Sequence, residues 1–198
     1  PPPVGEKIAI AGKVWTVEEI DRKRRLVFCD EVKGQVPAYF GECAGDIHTA
    51  VLEKMRSVLS GSTEYPYLLE NAKARLAEAR RSASMSGMTE KPLINLGGDM
   101  WCLFPWLGSY SFLALERLIR LHCADEIGLS SFSSKRPFFM QFRMKVNESD
   151  FFKSVKAHAE KDIDPISLLW PGECPVFDKY DEYLPEELVR KGFAFGVL

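Results

Sequence analysis

Phe138-Phe139-Met140-Gln141-Phe142-Arg143-Met144-Lys145-Val146 is the stretch on which the fold turns. Gln141, Arg143 and Lys145 alternate with Met140, Phe142, Met144 and Val146, the period of two that gives a strand one apolar and one polar face. Upstream, Met100-Trp101-Cys102-Leu103-Phe104 predicts a buried strand, followed by a turn at Pro105-Trp106-Leu107-Gly108. Ser109 is placed to cap a helix through Phe112, Leu115, Leu118, Ile119 and Leu121, and another strand is expected near Gly128 to Ser133. Downstream, Ser149-Asp150 opens a helix through Phe152, Val155 and Ala159. Asp164-Pro165, Trp170-Pro171-Gly172 and Cys174-Pro175 predict an irregular connection, and Pro185-Glu186-Glu187 has the chemistry of a first helical turn.

Toward the N-terminus the pattern becomes β-rich. Ile8, Ile10, Val14, Val17 and Ile20 form one run, broken by Gly12, and Leu26-Val27-Phe28-Cys29 forms another. Between them Asp21-Arg22-Lys23-Arg24-Arg25 predicts an antiparallel hairpin with a basic tip, and Lys33-Gly34-Gln35-Val36-Pro37 a further turn or strand edge. From Asp46 the period lengthens to that of a helix through Ile47, Val51, Leu52, Met55, Val58 and Leu59, with Asp46 as N-cap and Gly61 as stop. A second helix is expected from about Tyr67 to Arg81, ended by Ser82-Ala83-Ser84-Met85-Ser86-Gly87. The order predicts an α+β fold, a mostly antiparallel sheet with several packed helices that starts with a β-hairpin. It reads as a single accessory domain over 1–198, with a β-rich part at 1–42 and an α+β part at 43–198. The tri-proline start and the abrupt Gly196-Val197-Leu198 end give the expectation of an excerpt from a longer chain.

Composition bounds the chemistry. The 198 residues carry 26 Lys+Arg against 28 Asp+Glu, a formal net charge of -2, which excludes a polycation but not a local basic face. No apolar run approaches the ~20 residues of a membrane span, and Pro1-Pro2-Pro3-Val4-Gly5-Glu6 lacks the pattern of a signal peptide. The expected location is cytoplasmic, with no membrane partner. The five cysteines (Cys29, Cys43, Cys102, Cys123, Cys174) are odd in number and widely spaced, so reduced thiols are expected rather than a disulfide frame. No metal is expected at the adjacent His122-Cys123 pair.

The sequence contains no phosphate loop, no G-x-G-x-x-G, no H-E-x-x-H and no G-x-S-x-G. Leu96-Gly97-Gly98-Asp99 reads as a plain β-turn, and Asp178, Asp181, Glu182, Glu186 and Glu187 as a solvated loop and helix start. A hydrolase built on Asp178, Glu182 and Glu187 is the remote alternative. The fragment itself is expected to be non-catalytic and without a cofactor.

Nucleic acid is the partner the residues favour. Arg22, Lys23, Arg24 and Arg25 would project from a hairpin tip toward phosphates, although a solvated turn is the favoured reading of the same pattern taken alone. Trp15, Trp101 and Trp106 offer faces for base stacking, and for Trp101 core packing is the favoured role. Arg143 and Lys145 share the polar side of the proposed strand, a solvated or backbone-binding face.

Gly12-Lys13-Val14-Trp15-Thr16-Val17 followed by Ile20-Asp21-Arg22-Lys23-Arg24-Arg25 resembles the opening of a region in large helicase-related (Lhr-type) superfamily 2 helicases. Gly34-Gln35-Val36-Pro37-Ala38-Tyr39-Phe40-Gly41-Glu42 is similar to the next block, with Tyr39 where Trp is common. Met100 to Gly108 and Phe177 to Leu188 resemble later blocks, so the likeness runs from about Gly5 to Val197. It implies the accessory region after the winged-helix domain of an ATP-dependent DNA helicase, contributing to single-stranded DNA binding and motor coupling in DNA repair. Trp15 carries over as a stacking residue. ATP and Mg would belong to motor domains outside this fragment, and the RecA-like and winged-helix domains of the same chain would be partners. The alternative is a structural or protein-interaction domain that braces the helicase core with little DNA contact.

Overall fold

Alternating apolar residues organise both halves of the chain into antiparallel sheets. The computed structural model describes residues 3–10, 13–34, 46–176 and 179–198. Two compact units are separated at Gly45/Asp46.

The Pro1–Gly45 unit contains β1 (Lys7–Ile10), β2 (Lys13–Asp21) and β3 (Leu26–Val32), paired in the order β1-β2-β3. Ile8 lies opposite Trp15, and Val17 opposite Cys29. Opposed residues share a sheet face, so Ile8, Trp15, Val17 and Cys29 lie on one side, where Val17 is fully buried. A register shift between Val17 and Glu19 inserts one residue, which returns the strand to pairing at Glu19–Phe28, Ile20–Val27 and Asp21–Leu26. The N-terminal segment adds bonds of its own: Gly5 N–H donates to the Val17 carbonyl at 2.7 Å, and Val17 N–H to that of Glu6 at 2.9 Å.

The Asp46–Leu198 unit is built on β4 (Leu93–Gly97), β5 (Met100–Leu103), β6 (Ser130–Lys135) and β7 (Phe139–Arg143), ordered β4-β5-β7-β6. Leu93, Leu103 and Met140 form one row across three strands, and Trp101 lies opposite Phe142 in the next. These rows meet Phe112 and Leu118 of α3 (Ser109–Leu118), Ile127 of α4 (Ala124–Ile127) and Phe151 of α5 (Glu148–Ala159) in one apolar core. A π-helical turn, Ile119–Cys123, joins α3 to α4 and contributes Ile119 and Cys123 to that core. Phe132, Phe142 and Phe151 stack in sequence, with centroids 5.8 and 5.6 Å apart, and tie β6, β7 and α5 together. Phe112, Phe142 and Phe151 are fully buried, each worth about 1.5–3 kcal/mol over exposure. The remaining helices are α1 (Thr49–Ser60), α2 (Glu70–Ser86) and α6 (Glu186–Val197), with 3-10 turns at Pro165–Leu168 and Asp181–Tyr183.

The α+β class, the antiparallel sheets and the opening hairpin are as the patterns predict. Several boundaries differ. The strand read from Phe138 to Val146 leaves the ladder after Arg143, because Met144 N–H donates to the Asp99 carbonyl and Lys145 N–H to that of Ile127. Helix α1 is capped by His48, whose Nδ1 accepts from Ala50 N–H at 3.1 Å, not by Asp46. Helix α2 starts later than Tyr67 and continues through the serine-rich segment to Ser86. There Gly87, at φ 72°, closes it with N–H bonds to the Ala83 and Ser84 carbonyls. Gly108, not Ser109, holds the cap position of α3, and Asn147 caps α5 through its side chain. The irregular connection after α5 is anchored by Arg117, whose guanidinium bonds both Glu173 carboxylate oxygens, at 2.6 and 2.9 Å, over the Trp170 ring.

Candidate nucleic-acid interface

Four consecutive cations sit where β2 gives way to β3. Arg22, Lys23, Arg24 and Arg25 form the turn and are all exposed. The turn is organised by Asp21, whose Oδ1 accepts from Lys23 N–H at 3.0 Å and Arg24 N–H at 2.9 Å. This is the Asx arrangement that lets an aspartate stand in for backbone acceptors at a tight bend. Asp21 Oδ2 lies 3.7 Å from Arg24 Nε, a largely exposed pair that is worth little. Arg25 occupies the left-handed region at φ 56°, a conformation that costs a non-glycine residue on the order of 1 kcal/mol.

Apolar side chains accompany the charge. Leu26, Val27 and Phe28 are 46%, 40% and 48% exposed directly after the turn. A cleft of about 350 Å³ at the tip is lined by Ile20, Asp21, Arg22, Arg25, Leu26 and Val27. The β run expected for Leu26-Val27-Phe28 does not by itself carry their exposure. The available signal was three consecutive large apolar residues in a strand, which a period of two cannot place on one buried face.

Trp15 belongs to the same sheet but not to the tip. It lies six residues, about 20 Å at roughly 3.4 Å per residue, along β2 from Asp21 at the strand's end. Its ring is half-buried, its indole N–H points to the Ile10 carbonyl at 3.4 Å, and Lys13 Nζ stands 6.0 Å from its centroid. Lys13 also pairs with Glu31 at 2.7 Å.

The Asp46–Leu198 unit holds the other candidates, and they do not assemble there into a positive face. Trp106 is only 9% exposed, donates its indole N–H to the Met88 carbonyl at 3.2 Å and sits at φ 56°. Burial leaves no ring face for a base, which corrects its expected stacking role. Arg143 is exposed but pairs with Asp99 Oδ1 at 2.5 Å. Lys145 lies beyond the strand end, so the expected shared strand face with Arg143 is not formed. Trp101 packs against the core. Gly98-Asp99 is the turn between β4, which ends at Gly97, and β5, held by Asn95, whose amide accepts from Gly97 N–H and donates to the Gly98 carbonyl.

Other polar clusters have internal duties. The Glu126 carboxylate takes bonds from Ser154 at 2.5 Å and His158 at 2.9 Å, which hold it below the ordinary glutamate range, the Ser154 bond most strongly. Burial pushes the Cys102 thiol up to about 11 and raises that of Cys123. A larger cleft, about 880 Å³, lies beside α2, but its Arg80 is spent on the Val58 and Thr63 carbonyls and its Lys73 on Glu70. Glu187 pairs with Lys191 at 2.6 Å, and Asp178 of the acidic segment lies outside the described residues. So do Gly12, Gln35 to Glu42 and Phe177, which carry parts of the helicase-like blocks. Among the described residues, no group of three or more His, Cys, Asp or Glu side chains is placed to hold a metal, and no helix is long and apolar enough to cross a membrane.

No family model matches the chain, and neither the curated proteins nor the solved structures contain a match to it.

Proposed function

We propose that this chain is a non-catalytic accessory region of an ATP-dependent, Lhr-type DNA helicase, and that it touches single-stranded DNA through the β2–β3 hairpin. The observation that supports this most is the tip itself: four exposed cations in one turn, ordered by a single aspartate. A protein of formal charge -2 gains nothing from bulk attraction to a polyanion, so affinity has to come from a local concentration of positive charge. In this reading Arg22, Lys23, Arg24 and Arg25 contact phosphates, Trp15 extends the surface along β2, and Arg143, Lys145 and Trp106 play no direct part. ATP hydrolysis would occur in motor domains of the same protein, the chain coupling strand position to their cycle.

Titrating the chain into labelled single-stranded DNA at low salt tests the reading by fluorescence anisotropy. Saturable binding is expected, lost in the Arg22→Glu/Arg24→Glu variant; an unchanged curve for that variant removes the hairpin from the interface.

A second reading, a structural or protein-interaction domain, has its own support in the Asp46–Leu198 unit. On α6, Leu188 and Phe195 are 53% and 69% exposed, while Val189, Ala194 and Val197 are buried. In the full-length helicase, unchanged unwinding by the hairpin variant with loss of a co-purifying protein on Leu188→Ser/Phe195→Ser favours it.

A further inference from the structure

We infer that β3 is an interface between two copies of this chain: its outer edge pairs antiparallel with the same edge of a second copy, about a two-fold axis at Phe28. The pairing is independent of the nucleic-acid reading and leaves Arg22, Lys23 and Arg24 of the turn outside the ladder.

The edge itself is open. β3 (Leu26–Val32) stands last in the order β1-β2-β3, and among the described residues its backbone has no partner beyond β2. Proteins ordinarily blunt such an edge with proline, lysine or a bulge in the edge strand. Leu26-Val27-Phe28-Cys29-Asp30-Glu31-Val32 contains neither proline nor lysine, and the irregularity between Val17 and Glu19 adds its residue to β2, not to β3. Leu26, Val27 and Phe28 are exposed along it.

Backbone direction then limits the register. The N–H and carbonyl of Val17 are taken by Glu6 and Gly5, so Val17 turns toward β1 and Thr16 toward β3. Asp30, opposite Thr16, therefore aims its peptide groups at β2, and Cys29 aims outward together with Val27 and Glu31. An antiparallel partner bonds outward residues only to outward residues. With Phe28 on the axis, Val27 and the second copy's Cys29 form such a bonded pair. Phe28 and the second copy's Phe28 then take the closer, non-bonded position, with Cα atoms about 4.5 Å apart.

Charge selects this register over its neighbours. It sets Arg25 opposite the second copy's Glu31, and the two-fold repeats that pair at the other end. Lys13 takes Glu31 Oε2 at 2.7 Å, which leaves Oε1 for the guanidinium, and Arg25 has no acidic partner among the described residues. An axis at Cys29 would instead put Val27 against Glu31 and Phe28 against Asp30, apolar groups on carboxylates. An axis at Val27 would carry Asp30 and Glu31 past the strand end, opposite the turn that Asp21 holds bent. With the axis at Phe28, Leu26 to Asp30 all pair within the strand, and Leu26 with Asp30 falls at the margins, where water reaches the carboxylate.

Sedimentation velocity of the full chain over a range of concentrations tests the pairing. The wild type is expected to pass from monomer to dimer as concentration rises. Phe28→Lys, Arg25→Glu and Glu31→Arg each weaken the dimer by about tenfold, since every substitution acts twice across the axis. An equimolar mixture of the Arg25→Glu and Glu31→Arg chains recovers it, because opposite charges then meet at both ends. A wild type that stays monomeric at every concentration overturns the pairing and leaves the edge to a different partner. A mixture no more dimeric than its two components overturns it as well. Either result leaves the phosphate reading of Arg22, Lys23 and Arg24 standing.

Discussion

Arg25 shows how much one backbone angle can carry. Its left-handed φ sets the end of the β2–β3 turn and places a cation beside the apolar cleft, at a conformational cost of about 1 kcal/mol. Arg25→Gly is therefore expected to have opposite effects on stability and binding. Amide exchange in the β2–β3 ladder should slow by about fivefold as strain is relieved, while single-stranded DNA affinity falls. Faster exchange would show that the arginine stabilises the turn instead. A second residue-scale prediction concerns Glu126. Its carboxyl is held below the ordinary value of 4.5 by the Ser154 hydroxyl and then by His158, so the folded state binds a proton less readily than the unfolded one. That contribution is complete above the unfolded value and is lost as pH falls through the lowered folded value. In urea unfolding followed from about pH 6 to pH 3, Ser154→Ala should shallow the acid limb of the stability curve. Curves that stay parallel to the wild type would contradict the linkage.

At the scale of elements, the sequence pattern was legible where one local period matched one tertiary surface. Met140 and Phe142 alternate with Gln141 and Arg143, and β7 buries the first pair as the alternation demands. The Arg22–Arg25 interruption between two β runs is likewise the turn it resembles. Boundaries failed where distant backbone intervened. Helix α1 does not begin at Asp46 because Ile47 is already engaged: its N–H donates to the Ser109 hydroxyl, and its carbonyl accepts from Ser109 N–H. These partners lie 62 residues away, beyond any local pattern. Serines at 82, 84 and 86 suggested a break, yet only Gly87 has the positive φ that ends α2, and buried Ala83 keeps the helix packed. The π-turn at Ile119–Cys123 left no period to read, and Trp106 showed neither its burial nor its Met88 bond in a Pro-Trp-Leu context. The Ile47–Ser109 junction yields a test. A Cβ at Gly108 would stand 2.5 Å from the Ile47 carbonyl oxygen and 2.7 Å from Thr49 N, backbone atoms that cannot turn aside. Gly108→Ala should destabilise the protein by about 1–3 kcal/mol in urea unfolding, whereas a loss below a few tenths would mean that the junction is loose.

For the molecule as a whole, near-neutral composition conceals a division of labour. The Pro1–Gly45 unit gathers four of its seven Lys and Arg residues in one turn, while its strands carry Glu18, Glu19, Asp30 and Glu31. The Asp46–Leu198 unit engages several of its arginines internally: Arg80 on loop carbonyls, Arg117 on Glu173, Arg120 on Glu116 and the Trp170 ring, and Arg143 on Asp99. Such pairs order a scaffold and leave little field for a ligand. In the proposed function the hairpin tip neutralises phosphates of a single strand. Its most direct test is the salt dependence of single-strand affinity in wild type and in Arg22→Gln/Arg24→Gln. The slope of log K against log salt is expected to become shallower by about 0.7 for each lost contact. An identical slope in the two proteins would place the phosphate contacts elsewhere and contradict it.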